Sequence, residues 1–166
     1  MNNLSKAVAL GAIALLAACS NAITSGAAGP GDPGGVEAGA ASNPRSVAYF
    51  QQSVGDRVFF AVDEDTLGPT AQATLDAQAQ WLLANLDFTA MIEGHADEQG
   101  TREYNIALGA RRATAVREYL MGRGIAGGRL QTVSYGKERP IELCSDESCY
   151  SRNRRAVTVL TAGAAS

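Results

Sequence analysis

A chain of 166 residues, 46% hydrophobic and 19% charged, has room for one ordinary domain plus a tail or two. Its formal charge of −3 argues against nucleic acid as a partner, because proteins that bind it usually present a basic face. The basic residues gather locally instead, at Arg111–Arg112 and between Arg152 and Arg155.

Residues 1–18 read as an export signal. Lys6 supplies a short positive region, and the apolar run Ala7–Ala18 follows. That run is too short to span a bilayer, which takes about 20 residues, but suits a signal-peptide core. Leu16-Ala17-Ala18-Cys19 resembles a bacterial lipobox, with Cys19 the lipidated first residue of the mature chain. The alternative is an ordinary secretory signal with an incidental cysteine. Each buried CH₂ of an acyl chain contributes about 0.8 kcal/mol, so several chains on Cys19 make a stable anchor. Ser20 in place of an aspartate resembles the enterobacterial pattern for the outer rather than the inner membrane.

Residues 19–46, lipidated cysteine included, are dominated by Gly, Ala and Pro without hydrophobic periodicity. Such a segment buries too little surface to offset its ordering entropy and is expected to act as a flexible linker. Its r.m.s. reach is about 30 Å and its taut limit about 100 Å.

The folded domain is expected over residues 47–162, with a short tail at 163–166. Asp56–Val62 is rich in β-branched and aromatic residues and predicts a strand. Pro69 is placed to open a helix reaching Asn85, in which Leu75, Ala79, Leu82 and Leu86 form a stripe that Trp81 and Leu83 widen. A second strand, Phe88–Glu93, delivers the chain to Gly94. A second helix runs from Arg102 to Gly122, with Thr101 as its N-cap. Gln131–Tyr135 and Arg155–Leu160 are further strands, separated by an irregular stretch through Pro140. Strands interleaved with helices imply an α/β fold of the α+β sandwich type, its helices on one face of a small sheet.

Cys144 and Cys149 bracket Ser-Asp-Glu-Ser. In an exported chain whose Cys19 carries lipid, they form an even pair in an oxidising compartment. A disulfide closing so short a loop contributes roughly 2 kcal/mol. The alternative is a metal site, but two thiols without a second ligand pair are too few for structural zinc.

The chemistry concentrates between Glu93 and Arg112. On the helix that follows Thr101, Ile106, Gly109, Ala113, Val116 and Leu120 form the core face, and Arg112 lies on its flank in line with Asn105. An arginine there either snorkels to water or finds an anion. One reading is an internal ion pair with Asp97, Glu98 or a residue of another strand; the other is a ligand contact. Asp97 lies in a Gly94–Gly100 turn at a helix N-terminus, where free N–H groups favour anionic atoms. A carboxylate and a bidentate guanidinium at one mouth suit a zwitterionic amino-acid head group, with Asn105 able to donate and accept. His95 is the only histidine, without a nucleophile or second metal-ligand cluster beside it, and is expected to be a pocket-wall residue making one hydrogen bond.

The run from Gly94 to Leu120, together with Phe59–Asp63, Val133–Pro140 and Ser151–Val157, resembles the OmpA-like peptidoglycan-binding domain, and within it the peptidoglycan-associated lipoproteins. The resemblance implies a mixed four-stranded sheet in βαβαββ order, and no catalysis, cofactor or metal beyond the covalent lipid on Cys19. It implies a ligand, the diaminopimelate of a peptidoglycan stem peptide, bound chiefly by Asp97 and Arg112. The loop Glu98, Gln99, Gly100 and Thr101, with Asn105 and Leu108, is the implied rim, with Asp63 on the neighbouring edge and His95 in the wall. The family often has an acidic residue where this chain has Ala61, which leaves Asp63 as the strand-one carboxylate. Arg154 and Arg155 match an Asn-Arg-Arg run read as bracing the site. The implied setting is the Tol-Pal system of envelope integrity and cell division, with the propeller protein TolB as a second partner competing for the wall-binding surface. A competing reading is a wall hydrolase using His95, Asp97 and Glu98; another is a structural lipoprotein whose charged pair closes on itself.

Overall fold

The computed structural model describes residues 41–143 and 145–162. The expected signal segment, the lipidation site Cys19, most of the linker, Cys144 and the tail 163–166 lie outside the described residues.

The first ordered element precedes the first expected strand. Helix α1 (Val47–Tyr49) continues into a π-helical segment, Phe50–Gly55. The Ser46 hydroxyl accepts from the Tyr49 N–H at 3.0 Å, and Phe50 is fully buried with its ring edge-on to Trp81. The Trp81 indole N–H donates to the Pro44 carbonyl at 2.7 Å. Residues 43–46, expected to belong to the linker, are therefore part of the fold. One buried aromatic and one cap are too little pattern for periodicity to show.

Strand β1 (Arg57–Phe59) is shorter than expected. Past Phe60 the backbone turns away from the sheet, and the carbonyls of Ala61 and Glu64 accept hydrogen bonds from Arg112 instead. Helix α2 (Pro69–Ala84) opens on its proline as predicted and buries Leu75, Ala79, Trp81 and Leu82. Leu83 and Leu86 are exposed, contrary to the expected stripe. Leu86 follows the C-cap Asn85, so helical spacing no longer applies to it.

Strand β2 (Phe88–His95) is central, pairing antiparallel with β4 (Arg155–Ala162) and parallel with β3 (Leu130–Gly136). The strand order is β1-β4-β2-β3, a mixed four-stranded sheet. Phe88, Ala90 and Ile92 alternate onto the face beneath α2 and α3 (Arg102–Gly122) and are buried there. This is the expected α/β architecture, with one addition. Helix α4 (Glu147–Asn153) occupies the stretch expected to be irregular. Seven residues are too few to show a helical period. The Asp146 carboxylate accepts from the Ser148 and Cys149 N–H groups. Cys149 is buried and disulfide-bonded; Cys144, its expected partner, lies outside the described residues.

Helix α3 meets β2 at a backbone-to-backbone contact. A Cβ on Gly94 would lie 1.8 Å from the Gly109 carbonyl oxygen, and one on Gly109 would lie 2.4 Å from the Ser134 hydroxyl. The obstacle to Gly94 is the backbone of Gly109 rather than a flexible chain end, so α3 itself must move. Gly94→Ala is expected to cost about 3 kcal/mol and lower the Tm by about 10 °C or more in a thermal melt.

Candidate functional site

Strand β2 ends at His95, and the next residues swing across the N-terminus of α3. Asp97 is 8% exposed, and its carboxylate is fixed from two sides. One oxygen accepts the Gln99 N–H at 3.1 Å; the other accepts from the Arg154 guanidinium at 3.1 Å. An ionised carboxylate offers about four acceptor positions, so about two remain. The turn then closes through Gly100, whose φ of +87° favours glycine, and Thr101, whose hydroxyl caps α3 by accepting the Tyr104 N–H. Buried Asn105 donates to the Gln99 carbonyl at 2.7 Å, and the Lys137 ammonium donates to the Gly100 carbonyl at 2.7 Å.

A cavity of about 210 Å³ opens beside this turn. Of the expected residues, Asp63, Asp97, Gly100, Asn105 and Leu108 line it. Gln99, within the expected Glu98–Thr101 loop, lines it too, as do Val62 and Tyr104, which were not expected. Tyr104 had one available signal, an aromatic on the polar side of α3. Its hydroxyl donates to the Asp63 carboxylate, and Asp63 has the only positive φ, +60°, of any non-glycine residue described.

Thr101 lies behind the cavity as a cap. Glu98 is turned away, accepting from the hydroxyls of Ser145 at 2.7 Å and Tyr150 at 2.9 Å. These bonds hold its carboxyl below the usual carboxylate range.

Arg112 is the largest fully buried side chain described. The internal ion pair of the first reading is not what holds it. It forms no direct pair with Asp97 or Glu98, and it does not line the cavity. Its guanidinium donates to three carbonyls, Glu64 at 2.7 Å, His95 at 2.9 Å and Ala61 at 3.1 Å, and lies over the Phe60 ring at 5.1 Å. It joins the loop after β1 to the end of β2, the two segments that supply Asp63 and Asp97. Burial lowers its pKa to about 10 against the attraction of Asp97, so it stays a cation at neutral pH.

His95 is 1% exposed, and neither ring nitrogen has a hydrogen bond, contrary to the single bond expected. Its ring packs on Tyr135, and Nε2 lies 3.6 Å from a Glu93 oxygen, too far to bond. Burial, then the cations Arg155 and Arg139, lower its pKa to about 4. The folded state therefore binds this proton less readily than the unfolded chain. The stability this confers is complete above about pH 6.5 and is lost as pH falls toward 4. Denaturant titrations are expected to show a loss of about 2 kcal/mol between pH 7 and pH 5 that His95→Phe removes.

Among the described residues no group of three or more His, Cys, Asp and Glu side chains is arranged to hold a metal ion.

Residues 59–154 match the OmpA family. A peptidoglycan-associated lipoprotein of Rhizobium meliloti is 57% identical over 132 residues, covering 79% of this chain and 75% of the relative. The chain belongs to the OmpA family. A second relative, the peptidoglycan-associated lipoprotein of Haemophilus influenzae, is 47% identical over 148 residues, or 89% of this chain and 91% of that one. The crystal structure of the peptidoglycan-associated lipoprotein from Burkholderia pseudomallei superposes with a TM-score of 0.66 at 36% identity, over 72% of this chain and all of that one. The C-terminal domain of Helicobacter pylori MotB shares the fold, with a TM-score of 0.61 at 20% identity over 66% of this chain and 86% of that one. The lipoprotein relatives are named for their association with peptidoglycan, and the chain is not an enzyme.

Proposed function

We propose that the cavity beside Asp97 binds the amino-acid head group of diaminopimelate in a peptidoglycan stem peptide. The observation that carries this reading is a carboxylate at the cavity wall, fixed by Arg154 and the Gln99 N–H, with acceptor positions left for an ammonium. The ligand carboxylate meets the N-terminal turn of α3, where backbone N–H groups favour anions. Arg112 stands behind the wall as a fixed cation. Buried behind the wall and held by three carbonyls, it favours the carboxylate through its charge rather than by direct contact. Leu108 supplies an apolar wall for the aliphatic chain, with Asn105 holding the turn.

The wider role follows from the rest of the sequence. A lipid on Cys19 anchors the chain to the outer membrane, the Gly/Ala/Pro segment spans the gap, and the domain holds the cell wall, an immobile ligand. The relatives' name as peptidoglycan-associated lipoproteins supports this. In this reading the chain acts in the Tol-Pal system, with TolB competing for the same surface.

Pull-down on isolated sacculi tests the reading. The purified chain should sediment with them and be released by a soluble diaminopimelate-containing stem peptide. Failure to sediment, or sedimentation that the peptide does not compete, would overturn it.

A further inference from the structure

Glu98 follows Asp97, yet the cavity is lined by Asp97, Gln99 and Gly100 and not by Glu98. Its carboxylate is directed to the segment around α4, where one oxygen accepts hydrogen bonds from both the Ser145 and the Tyr150 hydroxyls. From the end of β3, the Lys137 ammonium donates to the carbonyls of Glu98, at 3.3 Å, and Gly100, at 2.7 Å. A third tie runs through Arg154, which follows α4. Its guanidinium donates to Asp97, to the Phe60 carbonyl and to the Glu147 carboxylate. Besides the Asn105 bond to the Gln99 carbonyl, these ties to residues 97–100 come from β3's end and the α4 segment, whose helix carries the disulfide-bonded Cys149.

We infer that Glu98 is a positioning residue: it acts on the ligand by clasping the cavity turn to Ser145 and Tyr150, and Tyr150 and Ser145 are site residues in the same indirect sense. This rests on the proposed function above and assigns a mechanism within it. A turn held from both sides presents its N–H groups and the Asp97 carboxylate without an ordering cost at binding. A turn released on the outer side pays that cost in affinity. The inference also separates two roles that a carboxylate on the rim invites. A Glu98 that touched the ligand ammonium would act through its charge. A clasp needs only an oxygen that accepts two hydroxyl hydrogen bonds, which a glutamine amide also offers.

The test is a double-mutant cycle on the full chain, read by titration with a diaminopimelate-containing tripeptide. Glu98→Ala is expected to weaken binding about tenfold, and the Ser145→Ala, Tyr150→Phe pair by a similar factor. Combining all three should weaken it no further than about twofold beyond either, because the same clasp is removed each time. Glu98→Gln should restore most of the affinity. Amide hydrogen exchange at Gln99, Gly100 and Thr101 should quicken in Glu98→Ala and not in Glu98→Gln, with exchange in β2 unchanged. Glu98 and Ser145 are exposed and Tyr150 is half-buried, so the variants should melt near the parent chain. Effects that multiply across the cycle, or a Glu98→Gln as weak as Glu98→Ala, would overturn the inference and leave the binding reading standing. No binding by the parent chain would instead remove the reading on which it rests.

Discussion

Replacing Arg112 with alanine should cost the domain on the order of 4 kcal/mol, enough to unfold much of a protein whose stability is typically 5–15 kcal/mol. The side chain is fully buried, and its loss strands the buried His95 carbonyl, at about 1–3 kcal/mol, and frees the loop carbonyls of Glu64 and Ala61, the latter still accepting the Glu64 N–H. It also leaves a cavity under the Phe60 ring. The stranded groups lie on the segments that supply Asp63 and Asp97, so the cavity should deform even in molecules that stay folded. Arg112→Lys keeps the charge but cannot reach three divergent carbonyls with the same fork geometry. It should fold with a lower denaturation midpoint and bind more weakly. Urea melts of the parent and both variants, followed by peptide titration of those that fold, separate the structural effect from the ligand effect. An Arg112→Ala chain as stable as its parent would contradict the hydrogen-bonding described for this residue.

Asp97→Asn is the cleaner probe of the ligand. The amide oxygen still accepts the Gln99 N–H, and Arg154 keeps Glu147 and the Phe60 carbonyl as partners. Breaking a buried pair outright costs about 3–5 kcal/mol, but those remaining contacts should hold the loss to roughly 1–2 kcal/mol. Binding should suffer more. A hydrogen bond to a charged group is worth about 1.5–3 kcal/mol, and the neutral amide both weakens that bond and presents its NH₂ to an ammonium. The expected loss is about a hundredfold in affinity for a diaminopimelate peptide, with little change in far-UV circular dichroism. Unchanged binding would place the ammonium elsewhere.

Much of the fold was legible because its signals were long. Strand β2 and helices α2 and α3 carry enough residues for alternation, a proline start and a threonine cap to agree. The short elements were not legible for the corresponding reason. The three residues of α1 and seven of α4 cannot display a helical period. Within the site, the Asp97 turn could be read from its glycines and from the helix behind it. The surroundings of Arg112 could not. A helical wheel places a side chain on a flank but does not show that the loop after β1 will fold back to offer carbonyls. Glu98 illustrates the same limit. Its neighbours Ser145 and Tyr150 lie 47 and 52 residues away, a distance that only the folded chain closes.

Titration calorimetry with two tripeptides tests the central claim most directly. One carries diaminopimelate at its third position; the other carries lysine, which has the same aliphatic chain and ammonium but lacks the second carboxylate. A site that reads a whole amino-acid head group should bind the diaminopimelate peptide at least about tenfold more tightly, because the lysine form leaves the α3 N-terminal turn and Arg112 without their anion. Equal affinity for the two peptides would contradict the account.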